Sequence, residues 1–343
     1  MDTELVVESS RCLEFFQAFD PEINQDNLIS IAAKAETPGG SSLQQHLSKI
    51  LRDHQRTKVV SQFQDPRDVA WLESLRDPHA GLWLDFAPKT AMHHIANDEF
   101  RVALTLRLRL PQKCILPGTM CDCRKGKSAI PLDPYGIHLT TGCIKGGNSI
   151  HNHDRMKEQT VKILSYCGLS TKVEEKNAFR GYDEDNGNRP DITIFNLPDH
   201  TGKYFLDIRL SSPVPANAGP LTLPQAKKRF RSGNQAFIEK VRYYQHATAQ
   251  GLGFLPIIFE TTGQMHPDTE SFFTSCLQQA ARVRQIPLPV LWKYWMSSLM
   301  FTLQRTMASG IIGRSFEVYG RKHKEHFETS RGAIRDFGYL NSM

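Results

Sequence analysis

The chain has 343 residues, 40% of them apolar, and a formal net charge of +6. That length holds roughly two domains and that apolar share buries a core, which excludes a disordered or fibrous chain. The positive balance admits a polyanionic partner but is too small to establish one.

Residues 1–42 are mixed and end in Thr37-Pro38-Gly39-Gly40-Ser41-Ser42, a turn-rich break that reads as a flexible joint. The first ten residues are acidic and mixed, without the apolar run of a secretory signal. Residues 43–115 read as a mainly helical region. Leu43, Leu47, Ile50 and Leu51 recur at helical spacing, and Asn97-Asp98-Glu99 looks like the capped start of a helix through Phe100, Ala103 and Leu104. The alternation of Leu104, Leu106, Leu108 and Leu110 leaves a strand open at its far end.

Residues 116–150 bring three of the seven cysteines, Cys121, Cys123 and Cys143, into one segment, a clustering that favours a metal over disulfides. With His138 they offer the four soft or borderline ligands that Zn²⁺ takes in a small knuckle. One intervening residue between Cys121 and Cys123, where two are commoner, strains chelation by both thiolates; His151 and His153 are nearby substitutes. Thiols without a metal are the other reading of the same cysteines.

Residues 151–288 alternate helix and strand. His153-Asp154 reads as the opening of an amphipathic helix through Met156, Thr160, Ile163 and Cys167 that Gly168 closes, and residues 171–175 read as a strand. Arg189-Pro190-Asp191-Ile192 and Phe205-Leu206-Asp207-Ile208-Arg209 then form a hairpin about a turn near His200. Alternation puts Asp191, Thr193, Asp207 and Arg209 on one face. Two carboxylates and a cation on a small area could seat a hard divalent ion, although spacing alone equally fits solvated or capping acids. Between the hairpin and the next helix, Pro213, Pro215, Pro220 and Pro224 mark a crossing. The basic run Lys227, Lys228, Arg229, Arg231 and Arg242 is either a solvated face or a phosphate-contacting surface. On its helix, Phe237, Val241 and Tyr244 follow apolar spacing. Residues 254–259 read as a short strand in which Pro256 argues for an edge or a strand-start position. Order and pattern give an α/β chain built on a mixed sheet.

Residues 289–343 form a C-terminal helix and a basic, polar tail. The stretch 290–312 is apolar but interrupted by Lys293, Gln304 and Arg305, so it reads as a buried helix and not a membrane span. A soluble, intracellular protein is expected.

In this succession the residues resemble a known family. Trp71-Leu72, the Cys121/Cys123/His138/Cys143 cluster, Asn152-His153-Asp154, Arg189-Pro190-Asp191, Asp207 and the segment from Lys240 to Tyr244 are similar to the zinc knuckle and PD-(D/E)XK, or restriction-endonuclease-like, region at the C-terminal end of non-LTR retrotransposon reverse transcriptases. The resemblance spans about residues 65–310. It implies a restriction-endonuclease-like mixed sheet flanked by helices, preceded by a mainly helical region and a zinc knuckle. It implies a metal-dependent DNA endonuclease that nicks target DNA for a retroelement, or a domesticated remnant, with an inactive module binding DNA or RNA as the alternative. Asp191 and Asp207 would coordinate Mg²⁺ or Mn²⁺, and Glu175 would match the acid before the hairpin. The family has lysine where this chain has Arg209, which cannot take a proton from water; Lys240 is the relocated candidate. No polymerase stretch is found, so the resemblance implies a detached C-terminal piece or a derived gene. A DNA substrate implies nuclear access, and Arg321-Lys322-His323-Lys324 is an import-like patch.

Overall fold

A computed structural model describes residues 65–85, 94–123, 129–143, 148–179, 189–198, 200–214, 220–249 and 251–320, with isolated positions before residue 65. The joint at 37–42, the loop around Gly126, residues 181–188, Pro215 and the patch 321–324 lie outside the described residues. The chain divides into two compact units, residues 1–69 and 70–343. In the first, Arg52, Asp53, Gln55, Thr57, Lys58 and Ser61 are helical.

Helix α1 (Pro66–Ser74) starts where Asp65 Oδ1 accepts the Arg67 N–H at 2.8 Å, with proline at its first position. Helix α2 (Asn97–Arg107) opens one residue before the expected cap, the Ala96 N–H donating to Glu99 Oε2 at 3.2 Å. It also settles the alternating leucines. The helix runs through Leu106, Arg109 turns left-handed, and Leu108 and Leu110 are exposed beyond it. Strands β1 (Met120–Cys121) and β2 (Ile130–Pro131) pair antiparallel, and one π-helical turn covers His138–Gly142.

Helix α3 (Asn148–Tyr166) begins five residues before His153, so His153 lies inside it and not at its start. Gly168, with φ of +80°, ends it as expected. A four-stranded sheet follows, of β3 (Thr171–Val173), β4 (Ile192–Ile194), β5 (Tyr204–Ser211) and β6 (Gly253–Glu260), in that spatial order. The first two pairings are antiparallel and β5–β6 is parallel, so the sheet is mixed. Pro256 sits in β6, an edge strand, where a missing N–H is tolerated. The register pairs Ile192 with Leu206, and carrying it one residue outward sets Asp191 across from Asp207.

Short α4 (Leu223–Ala226), α5 (Arg231–Tyr243) and α6 (Gln245–Ala249) fill the β5–β6 crossover. Both α3 and α5 contact β5. Of the apolar spacing expected on α5, Phe237 packs half-buried and Tyr244, just past the helix end, is buried, whereas Val241 is exposed; Gly233, Ala236 and the half-buried Lys240 share the inner side. Gly233 is obligatory: a Cβ there would lie 2.3 Å from the Phe230 ring. Helices α7 (Pro267–Arg284) and α8 (Leu288–Gly320) complete the unit. Leu299, Leu303, Met307 and Ile311 of α8 are fully buried, and the helix packs on α2, α3 and α7. Among the described residues no helix is long and apolar enough to cross a membrane.

Candidate active site and metal centre

At the Asp191–Asp207 end of the sheet a cleft of about 700 Å³ opens, lined by His153, Arg189, Asp191, Asp207, Arg209, Glu239, Lys240, Tyr243 and Tyr244. Strand alternation and hairpin register bring the two aspartates there, and α3 and α5 supply their partners. Asp191 Oδ2 accepts the Ile208 N–H at 2.6 Å and lies 2.8 Å from His153 Nε2. Asp207 is 4% exposed, and the Lys240 ammonium stands 2.8 Å from it. The Tyr244 hydroxyl also hydrogen-bonds Asp207, while its ring packs with Phe179, Phe205 and Phe254.

The two carboxyls are shifted in opposite directions. Burial raises Asp207 above the ordinary carboxylate value, the charge of Asp191 adds to this, and Lys240 only partly offsets it. Burial would raise Asp191 too, but His153, the Ile208 N–H and a hydrogen bond with Asp207 hold it below its ordinary value. Two like charges that share a site raise the pKa of one of them. His153 responds in kind: burial lowers its pKa, the Asp191 carboxylate more than compensates, and the net shift is upward.

Arg209 lines the cleft as expected but is bound to Glu239 at 2.6 Å, the first cation–acid pair at the rim. Arg189 pairs with Glu174 at 3.4 Å, and Lys157 holds Glu174 and Asp154. Glu175 is not brought to the cleft. Strand β3 ends at Val173 and Glu174 is left-handed, with φ of +47°, so the expected alternation through residue 175 fails. Glu175 turns into a buried position where Lys203 and Lys172 meet it at 2.9 and 3.4 Å. Glu174 instead pairs with Lys157 and with Arg189, which lines the cleft. None of Lys227, Lys228, Arg229, Arg231 and Arg242 lines the cleft. Lys227, Lys228 and Arg242 are exposed, Arg229 pairs with Asp77 at 3.5 Å, and Arg231 lies half-buried near Glu260.

Pattern reading places His153 at a helix start and Tyr244 on an apolar stripe; Tyr244 is buried as that stripe expects, but the contacts of both residues with the aspartates are missed. Their trace in the sequence is slight: a histidine four residues before Lys157 on one helix face, and a tyrosine where phenylalanine would fill an apolar stripe equally well.

Cys121, Cys123, His138 and Cys143 form a separate, fully buried cluster whose ligand atoms all lie within 4.8 Å of one another. Cys121 and Cys143 sulfurs are 3.6 Å apart, and Cys123 Sγ is 3.4 Å from His138 Nε2. A tetrahedral zinc with bonds of about 2.3 Å to sulfur sets its ligands roughly 3.8 Å apart, so the set can hold a metal ion such as zinc. The short Cys-x-Cys spacing is no obstacle, because residues two apart in an extended segment face the same side. Asp133 fixes the other half: its carboxylate accepts the N–H groups of Tyr135, Ile137 and His138 at 3.1, 2.9 and 2.8 Å. His151 is exposed and His153 is committed to Asp191, so neither enters the cluster.

Comparison with models of known protein families and with curated proteins returns no match to this chain.

Proposed function

We propose that this chain is a metal-dependent DNA endonuclease of the restriction-endonuclease-like type, related to retroelement nucleases, with a structural zinc knuckle. The observation that carries the reading is the aspartate pair, set face to face across adjacent strands, sharing one hydrogen bond, with a lysine ammonium 2.8 Å from the more buried partner. The run α3, three strands, α5 and β6, with β6 parallel to β5, supports the fold part of the reading. Asp191 and Asp207 would hold Mg²⁺ or Mn²⁺, which polarises a phosphodiester and lowers the pKa of the attacking water.

The chain's own residues fill the remaining roles. Lys240 neutralises the acids and, unlike Arg209, can exchange a proton with water. His153 and the Ile208 N–H both hold Asp191 Oδ2 and so orient the carboxylate that would ligate the cation. Arg189 and Arg209 at the rim meet phosphate, exchanging Glu174 and Glu239 for a polyanion. A DNA target places its work in the nucleus.

A second reading has its own support: Arg209 is tied to Glu239 and Glu175 stands away from the acids, as in a nucleic-acid-binding module that no longer cuts. Nicking of supercoiled plasmid in Mg²⁺ or Mn²⁺ decides between them. The nuclease reading expects nicking by the wild type and its loss in Asp191→Ala and Asp207→Ala. Retained DNA binding without nicking in either metal selects the inactive module.

A further inference from the structure

Arg314, on α8, is 1% exposed. A guanidinium stays protonated in any folded protein, so burying one requires a buried or nearly buried counter-charge. Its Nη2 lies 3.4 Å from Asp122 Oδ1 and 3.7 Å from Cys121 Sγ. Asp122 is 58% exposed and shares its charge with water, whereas Cys121 is fully buried. Three thiolates around a divalent cation carry one net negative charge, inside a shell that water does not reach. Guanidinium is the matching unit of opposite sign, placed where it donates to a ligand sulfur.

We propose that Arg314 is the counter-ion of the Cys/His metal centre: it neutralises the surplus thiolate charge, donates an N–H to Cys121 Sγ and so ties α8 to the β1–β2 hairpin. The proposal does not depend on nuclease activity. It gives the last helix a purpose beyond packing, because α8 lies on α3, the helix that carries His153. Metal retention and the seating of α8 are then one equilibrium: whatever loosens Arg314 loosens the ligand set, and metal loss releases the end of the helix. The arrangement also makes the centre a closed one, with four buried protein ligands, which marks a structural and not a catalytic metal.

The test uses the full chain loaded with zinc and titrated with a chromogenic chelator. Arg314→Met should weaken zinc retention by about 10–100-fold, the usual cost of removing a partner of a metal ligand. Arg314→Lys, which keeps the charge without the planar fork, should fall between. Asp122→Asn, at an exposed carboxylate, should stay within roughly threefold of wild type. Hydrogen exchange on the wild-type chain gives a readout that needs no variant: stripping zinc should speed exchange in α8 around residue 314 while β5 and β6 keep their protection. Folded Arg314→Met that retains zinc like wild type would overturn the proposal. So would exchange around residue 314 that ignores the metal, or a wild-type chain that takes up no zinc on refolding with it.

Discussion

In the Cys/His cluster all four side chains are buried and the outermost two are 22 positions apart, whereas the two aspartates of the cleft come from adjacent strand segments and their partners from two helices. The first set is soft, closed and local. The second is hard and open to solvent, and its charges are answered by groups far off in sequence: His153 is 38 residues from Asp191, and Lys240 is 33 from Asp207. A closed thiolate site spends its metal's binding free energy on folding. An open carboxylate site keeps coordination positions for substrate and water. The two sites should therefore fail in different ways when a ligand or a partner is removed.

The largest effect is expected at the closed site. Structural zinc contributes on the order of 10 kcal/mol of folding free energy in small metal domains. Cys143→Ala should abolish stoichiometric zinc uptake and lower the melting temperature by roughly 10 °C or more, read by metal analysis and calorimetry. An unchanged melting temperature would mean that the cluster is packing alone, and the contrast between the sites would collapse.

In the cleft the fold should survive and the chemistry should not. Lys240→Met removes the ammonium beside Asp207 and, if Lys240 moves a proton, should slow nicking by about 10²–10⁴-fold. Lys240→Arg separates charge from proton transfer, because arginine keeps the first and cannot perform the second. Arginine at full activity would reduce Lys240 to a counter-charge. A smaller loss is expected at His153, which acts through Asp191. His153→Leu should raise the metal concentration for half-maximal nicking about tenfold with little change in the saturated rate, and His153→Gln, which can still donate a hydrogen bond, should recover part of it.

The same contrast explains what could be read from the chain before folding. The knuckle was legible because its ligands are local and chemically distinctive, and the hairpin because a two-residue period and a Pro/Gly turn fix which side chains meet. Pro256 narrowed its strand to an edge or a start for the same kind of reason, a missing N–H being a local fact, and the sheet order decides for the edge. Glu175 was misplaced because one left-handed residue, Glu174, resets strand alternation without any glycine to announce it. On α5 the apolar spacing holds at Phe237 and Tyr244 and fails at Val241, because Gly233, Ala236 and Lys240 share the inner face and Val241 points to solvent. His153 was visible as a residue but not as a partner, since its contact with Asp191 exists only once α3 lies against the sheet.

The smallest effect concerns a third kind of acid, which tests whether burial alone makes a site. Glu260 ends β6 at 1% exposure, accepting the Ser74 hydroxyl at 2.8 Å and the Gly233 N–H at 3.2 Å. Burial raises its pKa to about 7, and those two hydrogen bonds only partly oppose it. Unlike Asp207 it does not line the cleft, and Arg231 nearby only partly opposes the effect of burial. A carboxyl raised in the folded state favours folding below its unfolded pKa, near 4.5, and loses that contribution as pH rises through about 7. Wild type should therefore lose stability between pH 5 and pH 8, an interval of roughly the width expected from that shift. Glu260→Gln keeps acceptors for Ser74 and Gly233 and cannot ionise, so it should flatten that part of the curve and be the more stable chain at pH 8. Urea unfolding of both chains at the two pH values measures this directly. Parallel curves for wild type and Glu260→Gln would place the titrating carboxyl elsewhere, and the coupled pair in the cleft would be the first place to look.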